Sequence, residues 1–410
     1  MSGEILVVAP YLPWPADFGG AIRMHEIVRH LSRDRRVILL APAAPAEMSA
    51  IQYLRDICDV TVVPVPWTFR QPAGPRKRLT QTRSLVSRQS FVELASWEPR
   101  FQAVMDRLFM TRHIELVQYE FPQMTRYRPR RPCPTILDNH NIEHELIRSV
   151  AQTSDSLPQQ AFNAIEWRKL RRLERAAWSS VTLNLATSSR DADCISRATG
   201  AQARIVPNGV DLDAYASART ATSVPGRVVF VGAMRHQPNA IGARWYVERV
   251  HPIVVEAIPD ATFEIVGSDP PTEVAGLVSR SVSVTGRVNS AVPHLARASV
   301  AVVPLHAGGG TRLKILEAFA SGVPVVSTTI GAEGLDLVPG EHLLIADTPD
   351  TFASAVIDAL RDTGDTGLPS GYSIAGAYEL AASRYDWGTA VVPALVAAHD
   401  EAIERFQGEQ

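Results

Sequence analysis

The feature that most constrains this chain is an alternation that occurs twice. Short apolar runs bounded by Pro, Gly or Asp are separated by amphipathic stretches along both halves. The runs fall at residues 5–9, 36–41, 60–65, 116–119, 135–137 and 181–186, and again at 227–231, 262–266, 282–285, 300–304, 323–327 and 342–345. Runs of this length without polar alternation read as strands covered on both faces, and helical periodicity over 21–31, 239–257, 312–320 and 351–360 supplies the covers. Such alternation predicts an α/β chain with parallel sheets. Two series in 410 residues predict two Rossmann-like, doubly wound domains.

Pro207 and the pair Asn208-Gly209 punctuate the two series, which places the first domain at residues 1–205 and the second at 206–384. A last amphipathic stretch, 389–406, follows Tyr385-Asp386-Trp387 and needs a surface to lie on. Residues 385–410 therefore read as a terminal helix that crosses back to the first domain. Residues 67–90 are rich in Pro, Arg, Gln and Thr without a sustained period, and read as a long surface excursion that could meet an acceptor or a membrane.

Composition serves mainly to exclude. With 46% hydrophobic and 20% charged residues, the chain is neither collagen-like, disordered nor a coiled coil. Its net charge of -2 hides a split: residues 1–205 carry 28 Lys+Arg against 20 Asp+Glu, and the remainder 13 against 23. A basic half suits an anionic substrate or membrane surface, but the Arg-rich stretches at 126–131 and 168–175 have few aromatics interleaved, which argues against nucleic acid. Cys58, Cys133 and Cys194 lie far apart with no metal spacing, and no apolar run approaches 18 residues. The expectation is a cytoplasmic protein without a spanning segment, with peripheral membrane contact as a further option.

The richest stretch chemically is 302–326. A strand runs into Gly308-Gly309-Gly310-Thr311, a helix begins near Arg312, and Gly322 with Pro324 stops it. Glycines let the backbone approach a phosphate, and the amides at a helix start attract anionic charge, so this is a candidate diphosphate seat with Arg312 and Lys314 as cations. A plain tight turn with two solvated cations is the alternative reading of the same residues. No Gly-Lys-Ser/Thr follows, and no Gly-x-Gly-x-x-Gly follows the first strand, which removes an ATPase P-loop and a dinucleotide site. Glu317 lies one helical turn after Lys314, where its carboxylate could accept both hydroxyls of a ribose or simply pair with Lys314.

These residues carry a resemblance. Phe230-Val-Gly232, the run 263–267, Thr285-Gly286-Arg287, Val303-Pro304 and the run 316–326 resemble the nucleotide-sugar domain of the retaining glycosyltransferases of family 4, which have the GT-B fold. Asn208-Gly-Val-Asp211 and Pro13-Trp-Pro15 through Gly19-Gly20-x-x-Arg23 are similar as well. The resemblance implies two Rossmann-like domains facing a cleft, a nucleotide diphosphate sugar as co-substrate rather than a cofactor, no metal, and retention of configuration. It implies an acceptor hydroxyl on a glycan, a lipid or a small molecule.

Residue by residue, the resemblance places the donor ribose at Glu317 and the nucleobase edge at the backbone of Arg287. The donor diphosphate falls at Gly19 and Gly20, with Arg23 one turn further, and His140 faces the donor sugar and the acceptor. Two departures stand out. The first glutamate of the family's Glu-x7-Glu motif falls at Gly309, and the usual Arg and Lys after Gly232 are Ala233 and Pro238. Arg235 lies nearby, and Arg312 with Lys314 fit the Gly-Thr-Arg-x-Lys-x-x-Glu form of the motif found in one branch. A nucleotide-sugar epimerase and a non-catalytic sugar-nucleotide binder are the rival readings. His140-Asn-Ile-Glu143-His144 also spells a zinc-peptidase motif, but it starts at a strand end rather than on one helical face.

Overall fold

A computed structural model describes residues 3–68, 74–153, 157–307, 310–361 and 372–408. The chain divides into two compact units, Met1–Pro207 with Val392–Gln410, and Asn208–Val391. Both are doubly wound parallel sheets covered by helices.

The first unit carries β1 (Glu4–Val8), β2 (Arg36–Ala43), β3 (Asp59–Pro64), β4 (Ile114–Glu120), β5 (Thr135–Asn139), β6 (Leu183–Ala186) and β7 (Ala203–Ile205). Their order is β3-β2-β1-β4-β5-β6-β7, every pairing parallel. The direction of winding therefore reverses between β1 and β4. Helix α1 (Gly19–Asp34) follows β1, and α2 (Glu143–Thr153) and α3 (Leu157–Trp178) follow β5. All five residues of β1 are buried, as a strand covered on both faces requires. β7 escapes the sequence reading because its three residues, Ala203, Arg204 and Ile205, are not buried and form an edge.

The second unit carries β8 (Arg227–Val231), β9 (Thr262–Val266), β10 (Val282–Val284), β11 (Val300–Val303), β12 (Val325–Ser327) and β13 (Leu344–Ile345). Their order is β10-β9-β8-β11-β12-β13, also parallel throughout, so the reversal lies between β8 and β11. Helix α4 (Leu212–Arg219) opens the unit, α5 (Gln237–Trp245) follows β8, and α6 (Leu313–Ala320) follows β11. Gly322, at φ 68°, ends α6 in the left-handed conformation that glycine adopts without cost. The apolar face of α6, with Ile315, Leu316 and Phe319, packs into a core shared with Val228, Phe230 and Val302.

Helix α7 (Val392–Gly408) belongs to the first unit, whereas residues 385–391 stay with the second. The sequence reading put those breaks at 205/206 and 384/385; the structure has 207/208 and 391/392. Local pairing explains the shift. Val210 bonds Tyr385 and Trp387 through the backbone, N–H to carbonyl at 2.7 Å and 3.2 Å, and Gly209 leaves room for the Trp387 ring. A second correction concerns 67–90: residues Pro75–Val86 form a helix rather than an irregular excursion. Only Ser84 of that helix is buried, so there is no apolar stripe for periodicity to reveal.

Candidate functional site

In doubly wound sheets ligands bind beyond the carboxyl ends of the strands where the winding reverses. In the second unit that place is the crest of β8 and β11. Gly232 follows β8 directly, and its amide donates to the Val266 carbonyl at 2.9 Å. A side chain there would meet the Lys314 ammonium at 2.8 Å and the Asn239 amide nitrogen at 2.9 Å, so glycine is what admits the lysine. Lys314, in the first turn of α6, donates from Nζ to Asn239 Oδ1 at 2.8 Å. Asn239 is oriented in turn by its own Nδ2, which donates to the Ala233 carbonyl at 2.9 Å.

The Lys314 ammonium also lies 4.4 Å from the centre of the Phe230 ring. Desolvation, with Arg312 adding to it and Glu317 opposing, pulls its pKa down to about 7. Among the described residues this cation is held by one neutral amide and one ring face, so an arriving anion would find it undersatisfied. Glu317, one turn on, faces Tyr215 of α4, and burial raises its pKa against the opposing influence of Tyr215 and Lys314. Lys314 and Glu317 form no ion pair among the described residues; each has a different partner. The intrahelical pair is therefore not the structural answer here.

Arg312 occupies the position just before α6 and is buried, with Nη1 donating to the Gly310 carbonyl at 3.1 Å and Nη2 to the Ile330 carbonyl at 3.2 Å. It braces the loop that leads into α6. Beside it, the Thr311 hydroxyl is buried without a hydrogen-bond partner, and Gly310 stands at φ 70°. Gly308 and Gly309 lie outside the described residues. Arg235 and Arg287 come together on one carboxylate: Asp269 Oδ2 accepts from Arg235 Nη1 at 3.0 Å and from Arg287 Nη2 at 3.2 Å. The sequence reading missed Asp269 and Tyr215. Neither sits in a motif, and only the meeting of distant loops gives them partners.

The first unit presents a second constellation at its own reversal, between β1 and β4. Gly19 and Gly20 open α1, and a side chain on Gly20 would lie 2.8 Å from the Tyr11 hydroxyl, 3.2 Å from Phe121 and 3.3 Å from His140 Nδ1. His140 stands just past β5, with its ring 4.1 Å from that of Phe121. Its Nε2 lies 2.6 Å from Glu120 Oε2, and its buried Nδ1 has no hydrogen-bond partner. Phe121 holds φ 71°, an uncommon conformation for a bulky residue and one found at ligand-binding turns.

Two carboxylates stand behind His140. Burial and then the Asp138 charge push Glu120 above its ordinary value, against the hydrogen bond from His140. Burial acts the same way on Asp138, but Arg23 and His140 outweigh it and leave Asp138 below its ordinary value. Arg23 requires a correction. The resemblance places it beside a donor diphosphate, yet it is wholly buried, clamping both Asp138 oxygens at 2.8 Å and donating to the Val206 and Pro207 carbonyls at 3.0 Å and 2.9 Å. A guanidinium so engaged ties α1 to β5 and to the end of the unit.

The zinc-peptidase spelling does not assemble. His140 turns to Glu120, whereas His144 Nδ1 lies 2.5 Å from Glu174, on a different element. Two groups of described residues bring metal-ligating atoms within 4.8 Å of one another: Glu120, Asp138 and His140, and His144, Glu145 and Cys194. In the first, the Arg23 clamp and the His140–Glu120 bond already engage the donors.

Comparison with known proteins fits this geometry. Residues 225–362 match the family described as "Glycosyl transferases group 1". Over 201 residues the chain is 31% identical to the phosphatidyl-myo-inositol mannosyltransferase of Mycobacterium tuberculosis (strain ATCC 25618 / H37Rv), covering 46% of this chain and 52% of that protein. It thus spans about half the length of that relative. The protein of the same description from Mycobacterium leprae (strain TN) is 25% identical over 391 residues, 92% and 91% of the two chains. Among solved structures, sucrose-phosphate synthase from Thermosynechococcus elongatus superposes with a TM-score of 0.68 at 17% identity, over 99% of each chain. Anabaena Alr3699/HepE in complex with UDP and glucose gives 0.64 at 14%, over 99% and 100%. The fold is GT-B, and the second unit carries the group 1 glycosyltransferase match.

Proposed function

We propose that this GT-B chain is a glycosyltransferase that moves a sugar from a nucleotide diphosphate sugar to an acceptor hydroxyl, with retention of configuration and without a required metal. The observation that carries the proposal is the Lys314 ammonium, set against Gly232 and Asn239 at the reversal point of the second sheet. Nothing structural in the first turn of a helix calls for a desolvated lysine held by a single amide. A diphosphate supplies the missing charge.

In the reaction the bond from the sugar's anomeric carbon to the diphosphate oxygen breaks, and a bond to the acceptor oxygen forms. The acceptor's proton passes to the departing diphosphate. Charge builds on that leaving group, and a preorganised cation there stabilises the transition state more than the ground state. Lys314 is assigned that task, with Arg312 shaping the loop and the amides at the start of α6 adding to the field. Glu317 takes the donor ribose hydroxyls, with Tyr215 beside its carboxylate. Arg235 and Arg287 flank the donor's base. His140 meets a sugar or acceptor hydroxyl in the first unit.

One observation favours a glycan or lipid-linked acceptor presented at a surface. The basic helix Pro75–Val86 leaves Leu79 and Val86 exposed beside Arg76, Lys77 and Arg78, a composition suited to an anionic surface on the cytoplasmic side.

Calorimetric titration of the metal-stripped protein with UDP, GDP, ADP and TDP tests the proposal. One nucleotide should bind, and Lys314→Ala should weaken it about tenfold to a hundredfold while the variant stays folded. Failure of all four nucleotides to bind would end the transferase reading. Acceptor-independent isomerisation of the sugar would replace it with the epimerase, and donor binding with no turnover across an acceptor library would replace it with the non-catalytic binder.

A further inference from the structure

A chain of buried polar groups runs from His140 to the last helix of the molecule, and no motif predicts it. His140 Nε2 meets Glu120 Oε2 at 2.6 Å, Glu120 Oε1 accepts from Gln118 Nε2 at 2.7 Å, and Gln118 Oε1 meets His399 Nε2 at 2.7 Å. Glu120 and Gln118 project from β4, where neither has any exposed surface, and His399 lies on α7 with 2% exposed. All four residues belong to the first unit.

With Glu120 ionised, the form that its bonds from His140 and Gln118 favour, the donors and acceptors along this chain admit one consistent assignment. An ionised carboxylate only accepts, so Gln118 must turn its NH2 toward Glu120 and its carbonyl toward His399. His399 must then donate from Nε2, and its other nitrogen, buried without a partner, is the bare one. At the far end, Glu120 accepts from His140, which therefore carries its proton on Nε2. The surroundings agree. Asp138 Oδ2, itself clamped by Arg23, lies 3.8 Å from the same Nε2, so both carboxylates near the ring stand on that side. In the neutral ring His140 Nδ1 is then the lone pair, and it faces Gly20, whose absent side chain would lie 3.3 Å from it and 2.8 Å from the Tyr11 hydroxyl.

We propose that Glu120, Gln118 and His399 are positioning residues that fix the tautomer of His140, so that Nδ1 accepts a hydrogen bond from a hydroxyl of the sugar or acceptor. The inference rests on the transferase reading for the identity of that hydroxyl, but the tautomer itself is independent of it. Without the relay, Gln118 can flip, Glu120 loses a donor, and the proton on His140 is free to redistribute between the two ring nitrogens.

Histidine-15N labelling of the full chain, with His140 assigned by the loss of its signals in His140→Asn, reads the tautomer through long-range proton–nitrogen correlations. The wild type should show a protonated Nε2 and a bare Nδ1. Gln118→Leu and His399→Leu should each raise the Nδ1–H population and lower kcat for transfer about tenfold, leaving KM for the donor within about twofold. His399→Gln, which keeps an N–H donor toward Gln118, should restore both. The two leucine variants probe the same relay from β4 and from α7, so failure of one to fold leaves the other as the test.

A wild-type His140 protonated on Nδ1, or ring signals unchanged in the leucine variants, would overturn the inference. A changed tautomer with unchanged kcat would equally remove the positioning role. Failure of the transferase reading looks different: no nucleotide diphosphate binds, while the tautomer and its response to His399→Leu stand as described.

Discussion

Single residues in this protein divide by whether their charge is already satisfied. Arg23, bonded to both Asp138 oxygens and to the Val206 and Pro207 carbonyls, is spent on structure, whereas among the described residues Lys314 is held by one amide and a ring. The depressed pKa of Lys314, about 7, gives a directional prediction. Below that value the free protein carries the ammonium, and above it the group is increasingly neutral. A diphosphate favours the charged form, so binding near pH 8 must take up a proton, and affinity must fall as pH rises through 7. Titrations in two buffers of different ionisation heat measure the uptake directly; equal heats would mean that Lys314 does not face the diphosphate. This part of the site was legible as a motif, since the glycine run, the cations and the helix start are neighbours in the chain. Tyr215 was not, because its meeting with Glu317 spans two helices.

At the scale of elements, the loops beyond the strand ends are built by close backbone approach. Gly267, just after β9, has φ 155°, and a β-carbon there would sit 1.8 Å from the Gly232 carbonyl oxygen. Both atoms are backbone, so neither can swing aside. Gly267→Ala should cost about 3 kcal/mol, seen as a lower denaturant midpoint with an unchanged slope, and should weaken nucleotide binding by displacing Gly232 from Lys314. Wild-type stability would show that the loop yields. The same scale explains where sequence reading of elements succeeds. β1 and β11 are buried on both faces and announce themselves as apolar runs; β7 and the helix Pro75–Val86 lie at the surface and give no pattern.

For the whole molecule, α7 is the element that ties the end of the chain to its first unit. Leu395 and Ala402 have no exposed surface, and Arg204 holds Glu401 through two bonds, at 2.5 Å and 2.8 Å. A chain ending at Val391 should therefore lose about 4 kcal/mol from the first unit, through one buried leucine, its neighbours and the His399 bond. The second unit should keep its stability, because residues 385–391 remain paired with Val210. Calorimetric melting resolved into two transitions checks this, and equal losses in both would contradict the division at 391/392.

The sequence by itself determined the two parallel sheets, the order in which strands and helices alternate, and the glycine-to-lysine stretch that opens α6. Periodicity and turn chemistry act between residues close in the chain, and local pattern reports them. The tertiary structure alone decided which side chains meet. Arg23 reaches Asp138 across 115 positions and His399 reaches Gln118 across 281. Those partners depend on which strands become neighbours in a doubly wound sheet. Whether a cation ends as a clamp or as a ligand-binding group is therefore settled by sheet order, which no local spacing encodes.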